Sequence, residues 1–411
     1  MLLETGTQWL GKIPEHWELS KIGHCFKHRN QTVSDKEFQP LSVTKNGVVP
    51  QLETAAKSDN SDGRKLIRKG DFVINQRSDR KGSAGISPFD GSCSVIYTVL
   101  EPLKYEPRYA HHLFRSLAFQ EEFYRWGTGI VDDLWSTRYS LMRQIACPVP
   151  PLEEQKEIAD FLDRELEQID LLIYQQHRLT SLVKERVRGV IYAIANGGGS
   201  DIAAGSKPSD QWFQKAPKGW ATKRVSELGS IINGYPFDSD SFSDNSEDMA
   251  LVRIRDLQSD AFETFVPRET VPQVAVVKNN DVLIGMDGDF NVKFWDRGDA
   301  ALNQRVCLIR CDDENTAKYL AFVLPFALRK INDLTYATTV KHLASSQVAR
   351  TRIPMPPFSE LEANCNRMLR QYDLAERLVR QAEALISISK ERRQALINDA
   401  VTGKIDVRGK S

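Results

Sequence analysis

Several short stretches of this chain carry residue types that could do chemistry, and each fails on spacing or on its neighbours. Glu154-Gln155-Lys156 resembles the last part of a nuclease metal site, but no acidic partner on an upstream strand accompanies it. Met355-Pro356-Pro357-Phe358 has the outline of the Asn/Asp-Pro-Pro-aromatic motif of adenine methylation. Methionine cannot accept the hydrogen bond that the motif's polar side chain makes, so a helix start is the better reading. Gly11-Lys12 and Gly403-Lys404 are each followed by isoleucine, so neither completes a phosphate-cradling loop. Gly127-Thr128-Gly129 stands alone, and Asp287-Gly288-Asp289 is turn chemistry. The six cysteines are scattered; Cys307 and Cys311 lack a second Cys/His pair, which favours buried free thiols over a zinc site. No catalytic or metal-binding residues are expected.

What remains is hydrogen-bonding chemistry suited to base edges and phosphates. Arginine forks match guanine, Asn and Gln amides match adenine, and Lys, Arg and hydroxyls match phosphate. In the first half, Gln76, Arg77, Ser78, Arg80 and Lys81 crowd together after a strand. Lys45 and Asn46 sit in a hairpin-like turn, and Trp135, Arg138 and Tyr139 share "LWSTRYS". In the second half, Arg253 and Arg255 alternate along an expected strand and share one face of it. Asn291 and Lys293 follow, with a nearby Trp295, then the run Asn303-Gln304-Arg305, then Thr338, Lys341 and His342. Each group has a plain alternative: a solvated turn, an ordinary hairpin, or, for Trp135 and His342, a structural side chain.

The elements that must position these groups come in two copies. "IPEHWELSKI" from Ile13 and "APKGWATKRV" from Ala216 both place a proline three residues before a tryptophan, with Trp17 and Trp220 203 residues apart. "GDFVIN" from Gly70 and "NDVLIG" from Asn280 both read as a turn plus a buried strand. "CPVPPLEEQ" from Cys147 and "IPMPPFSEL" from Ile353 follow, 206 residues apart. Each copy ends in a proline-free helical pattern of ~45 residues, about 68 Å if fully helical. The first carries Leu162, Ile169, Val183 and Val190 in one heptad series, with Ile158, Leu172 and Leu179 in the other. The second carries Cys365, Tyr372, Val379 and Ile386 with Met368, Ala375, Ala382 and Leu396. Helices of that length call for a coiled-coil partner. Gly197 and Gly403 stand where helix C-caps would use them.

The expectation is therefore an α+β chain with an internal pseudo-twofold repeat: two globular β-rich domains joined by two long antiparallel coiled-coil helices. The boundaries are 1–151 and 217–357 for the domains, 152–197 and 358–403 for the helices, 198–216 for a Gly/Ser-rich linker and 404–411 for a tail. Lys+Arg and Asp+Glu both number 55. That balance excludes a wholly basic nucleic-acid coat, so any DNA contact must use local clusters. No apolar run reaches about 18 residues and no signal pattern opens the chain, so a cytoplasmic protein without membrane contact is expected.

At this point the chain resembles the specificity (S) subunits of type I restriction-modification systems. The resemblance rests on "GTQWLGKIPEHWELSKI" (Gly6–Ile22), "PVPPLEEQKEIADFLDRELEQID" (Pro148–Asp170) and "LVRIRDL" (Leu251–Leu257). "DVLIGMDGDFNV" (Asp281–Val292), "LNQRVC" (Leu302–Cys307) and "LINDAVTGKIDVR" (Leu396–Arg408) extend it over nearly the whole chain. It implies two target recognition domains, each reading one half of a bipartite double-stranded DNA site. It also implies helices that set the gap and dock two modification (methyltransferase) subunits, with restriction subunits joining the complex. The chain would be non-catalytic and bind no cofactor; S-adenosylmethionine, ATP and magnesium would belong to the partner subunits. Differing loops in the two copies point to an asymmetric target. One departure is Ser359-Glu360-Leu361 where the first copy has Glu153-Glu154-Gln155, which points to different docking on that side. The competing reading is a coiled-coil interaction scaffold that presents two heads to a ligand other than DNA.

Overall fold

The computed structural model describes residues 1–51, 63–77, 81–129, 135–198, 216–259, 261–334 and 342–408. The chain forms two compact units, one of Met1–His177 with Glu383–Ser411 and one of Arg178–Ala382. Each long helix is divided between them: Leu152–Ala195 and Phe358–Val401 each give one part to either unit.

The repeat in sequence is a repeat in fold. In the first unit a four-stranded antiparallel sheet runs in the order Ala84–Ile86, Phe72–Asn75, Tyr97–Pro102, Phe26–Arg29. In the second unit the order Val292–Phe294, Val282–Gly285, Val306–Arg310, Ser230–Asn233 reproduces it strand for strand. The strands "FVIN" and "VLIG" are buried along their whole length, which is why both read as unbroken apolar runs. A two-stranded ribbon follows the same rule, Glu18–Lys21 with Ala146–Val149 and Ala221–Arg224 with Arg352–Met355.

Matched hydrogen bonds hold the two copies. The Trp17 and Trp220 amides donate to Pro14 O and Pro217 O, each at 3.0 Å. Tyr105 Oη donates to Pro148 O at 2.7 Å, and Tyr319 Oη to Pro354 O at 2.8 Å. Before each central strand a buried aspartate accepts from its own turn and pairs with an arginine. Asp71 takes Arg29 Nε at 2.7 Å, and Asp281 takes Arg310 Nη2 at 2.6 Å. The outer layers differ. The first unit adds the hairpin Leu41–Thr44/Gly47–Pro50, and the second a four-stranded sheet containing the parallel pair Leu251↔Ala301.

In the first unit Ile158, Leu162 and Leu166 share one core with Ile397, Ala400 and Val401, while Arg393 Nε meets Asp170 at 3.0 Å. Numbers rise on one helix as they fall on the other, so the pair is antiparallel. In the second unit Ile191 and Ile194 share a core with Leu361, Cys365 and Met368. The heptad series is only partly buried: Leu179 and Tyr372, expected in the seam, are 42% and 43% exposed. Both helices end in the same turn, with Gly197 and Gly403 at φ +73° and the following amides bonded back to Ala193 O and Asp399 O. Each glycine lies against a repeated proline: Gly197 on Pro217, and Gly403 on Pro14 and Trp17. The repeated Pro-x-x-Trp signal is thus a seat for a helix end.

Gln155 is 1% exposed; it accepts from the Glu106 amide and donates to Lys104 O and Pro150 O. Its counterpart Leu361 is buried in apolar core. At this one of the three positions the departure is an internal repacking; Glu153 and its counterpart Ser359 are both exposed. The six cysteines are free thiols. Among the described residues no helix is long and apolar enough to cross a membrane.

Candidate nucleic-acid interface

In both units the central strand runs on past its ladder and meets the segment that precedes the last short helix. In the first unit Arg77 pairs with Ser136 and the Thr137 amide donates to Gln76 O at 2.9 Å. In the second, Asp287 pairs with His342 and the Leu343 amide donates to Met286 O at 2.7 Å. A third segment closes the frame. The Gln76 amide donates to Ile96 O and the Met286 amide to Arg305 O. The same backbone scaffold thus presents Arg77, Ser136 and Ile96 in one unit, and Asp287, His342 and Arg305 in the other.

Two stretches chosen separately in the first unit are therefore neighbours, and Gln76, Arg77, Lys81 and Trp135 line one cleft. Arg77 and Arg138 are exposed and form no ion pair among the described residues. The remaining side chains are engaged. Gln76 Nε2 donates to Thr98 Oγ1 at 2.8 Å, so its amide faces inward. Lys81 pairs with Glu121 at 2.6 Å and lies over the Tyr124 ring. Trp135 donates to Tyr124 O and fills the space that a side chain at Gly127 would need, and Tyr139 stacks on His28. Gln76, Trp135 and Tyr139 thus make internal contacts in this structure, whereas the Lys81–Glu121 pair is at the surface. Ser78 and Arg80 lie outside the described residues.

Lys45 and Asn46 form the exposed tip of the hairpin. The tip is anchored from below: Arg115 donates to Lys45 O and, at 2.5 Å, to His111 Nε2. Burial, then the neighbouring Arg115, pushes His111 down to about 3, so it stays neutral and can accept. Sequence reasoning missed this pair because neither residue belongs to a motif.

In the second unit the expected arginine strand is corrected. The strand ends at Val252, and Ile254–Leu257 form a 3₁₀ turn. Arg253 is half-buried with Nε 3.2 Å from Asp256, and Arg255 is exposed and paired with Glu263 at 3.1 Å. The buried Asp256 carboxylate caps this turn by accepting from the Arg253 amide, which bends the chain away from β geometry. Asn291 accepts from Gln258 at 2.7 Å, and Lys293 sits half-buried opposite Leu283. Trp295 is core. Asn303 is buried and accepts from the Arg305 amide through Oδ1, while Gln304 and Arg305 are exposed. Thr338 and Lys341 lie outside the described residues. Asp287, read from sequence as turn chemistry alone, carries the local charge: His342 Nδ1 lies 2.7 Å from Oδ1 and Arg305 Nη1 3.3 Å from Oδ2.

A profile of the family described as "Type I restriction modification DNA specificity domain" matches residues 14–179 and again 217–396. The Escherichia coli type I restriction enzyme EcoBI specificity subunit is 33% identical over 190 residues, which cover 45% of this chain and 39% of that protein. The chain thus spans well under half the length of that relative. The putative type I restriction enzyme MjaX specificity subunit of Methanocaldococcus jannaschii is 22% identical over 97% of this chain and 96% of its own length. Among solved structures, a chain from work on complex assembly and conformational transition of the type I R-M system superposes with TM-score 0.73 at 16% identity, covering 96% of this chain and 99% of that one. The likeness to the latter is one of fold. Two matches of one family profile, falling on two copies of one sheet and one helix-end seat, place this chain in the type I restriction modification DNA specificity domain family.

Proposed function

We propose that this chain is the DNA sequence-specificity subunit of a type I restriction-modification complex and reads a bipartite, asymmetric target with its two heads. The observation that carries the reading is the shared frame with unlike side chains. Arg77, Ser136 and Ile96 occupy the positions that Asp287, His342 and Arg305 occupy in the second unit. A conserved backbone with exchanged hydrogen-bonding groups suits two half-sites of different sequence. The exposed Arg77, Arg138 and Lys45 supply local positive charge in a chain with none overall, as phosphate contact requires. Exposed apolar side chains on the long helices, such as Leu171, Tyr174 and Leu182 on the first and Leu374 and Ile388 on the second, suit docking of two modification subunits. Restriction subunits would complete the complex. Catalysis, and with it S-adenosylmethionine, ATP and magnesium, is assigned to those partners rather than to this chain.

The test is a genome-wide map of methylated adenines with and without this chain, in a host with an active companion methyltransferase. The expected result is a split motif with a fixed spacer that vanishes on deletion, and replacing residues 217–352 should change one half only. An unchanged map refutes the reading and favours a scaffold whose heads hold another ligand.

A further inference from the structure

Asp287 in the second unit uses both carboxylate oxygens on neighbours. Oδ1 lies 2.7 Å from His342 Nδ1 and Oδ2 lies 3.3 Å from Arg305 Nη1. The side chain is largely buried at 23% exposure, whereas Arg305 and His342 are 59% and 53% exposed. The carboxylate is thus the anchor, and the two cations-or-bases it holds are what the surface presents.

The anchor is itself held firmly. The Met286 amide donates to Arg305 O at 2.9 Å, and Leu343, next to His342, donates to Met286 O at 2.7 Å. Gly234 packs so closely on Asn303 O that no side chain fits there, which pins the Asn303–Arg305 turn. Phe290, 2% exposed, closes the Asp287 turn at φ +51°, a conformation that a bulky residue keeps only where packing demands it.

An ionised carboxylate only accepts, so the His342 tautomer that fits this contact carries its proton on Nδ1 and leaves Nε2 as the acceptor. Arg305 has donors only, five N–H groups in a planar fork, and Asp287 lies beside it at Nη1 alone. The surface therefore offers guanidinium donors beside an imidazole acceptor. In the major groove a G·C pair shows two acceptors, guanine N7 and O6, then a donor, cytosine N4. An A·T pair shows acceptor, donor, acceptor, and places a methyl group beyond. Two donors and an acceptor complement the first pattern and clash with the second.

We propose, resting on the functional reading above, that the second head recognises a G·C base pair, with Arg305 as the guanine reader, His342 Nε2 as the acceptor for cytosine and Asp287 as their positioning residue.

The experiment compares methylation maps of the full chain, assembled with its companion methyltransferase, for the natural sequence and for Arg305→Lys and Asp287→Asn. Arg305→Lys keeps the charge and removes the fork. Asp287→Asn keeps the volume and puts a donor where Arg305 or His342 needs an acceptor. Both should lower discrimination at one G·C position of the half-site belonging to the second head, by about tenfold to a hundredfold, and leave the other half-site intact. The intact half-site shows that the variant is folded and assembled. If Arg305→Lys and Asp287→Asn leave every position of the motif as selective as before, or weaken methylation evenly at all sites, Arg305 is a phosphate contact and the proposal is overturned. Should Arg305→Lys abolish methylation altogether, Asp287→Asn decides by the same criterion. A natural chain that yields no split motif overturns the functional reading first, and this proposal with it.

Discussion

Replacing Gly403 by alanine should be more damaging than the same change at Gly197, the end of the other long helix. Two effects add. At φ +73° an L side chain costs about 1–2 kcal/mol over glycine. The new Cβ would also lie 2.4 Å from Pro14 Cδ, 2.7 Å from Pro14 Cγ and 2.9 Å from Trp17 Cη2. Those are atoms of a ring and a buried indole, which cannot rotate aside, and overpacking of that kind costs about 1–3 kcal/mol. The sum is about 2–5 kcal/mol, or roughly 4–20 °C in the melting temperature of a unit of this size. Three other glycines calibrate the number. Gly197 has the same φ but looser contacts, 2.8 and 3.0 Å from Pro217, so its alanine variant should cost less. Gly11, at φ +62° with nothing within 4 Å, should show the backbone cost alone. Gly189 lies inside the first long helix with no neighbour within 4 Å, so alanine there should stabilise by about 0.5–1 kcal/mol. Thermal unfolding of the full chain, with hydrogen exchange used to assign the affected segment, gives the ranking. If Gly403→Ala is no worse than Gly11→Ala, the helix end does not seat on the Pro-x-x-Trp turn and the reasoning fails.

Two further substitutions test the internal frame. Gln155→Leu copies the second unit's residue into the first and strips partners from the Glu106 amide, Lys104 O and Pro150 O; at about 1–3 kcal/mol for each group left buried and unpaired, a loss of at least 2 kcal/mol is expected by urea unfolding, and an unchanged midpoint would show the site repacks. Asp281→Ala breaks a bidentate pair with Arg310 and a turn cap, for about 3–5 kcal/mol, whereas Asp71→Ala should cost less because Arg29 keeps Glu101 at 3.1 Å; equal losses in a denaturant series would argue against that second partner.

The expected strand at Arg253–Arg255 shows where one-dimensional reasoning broke down. Alternation is a valid strand signal only while each carbonyl and amide finds a ladder partner. Here Asp256, 3% exposed, captures the Arg253 amide and turns the chain into a 3₁₀ turn. The same limit applies to Gln76 and Trp135. Their types suit base contacts, but whether an amide or an indole points outward depends on Thr98 and Gly127, which no periodicity links to them.

Much of this molecule was fixed by local rules that a sequence displays directly. Proline before tryptophan, an aspartate before a buried apolar run, a Pro-Pro helix start and a glycine helix stop each depend on near neighbours, so both copies and both helix lengths could be read from residue order alone. What only the tertiary structure decided was which distant groups meet. Gly403 finds Pro14, Arg115 finds Lys45, and Asp287 gathers Arg305 and His342, because sheet register and loop path bring together residues that no periodicity connects. The repeat was legible because hydrophobic patterning is redundant along a strand or helix. The reading groups were not, because each is a single side chain whose direction is set by one packing or hydrogen-bonding partner elsewhere in the fold.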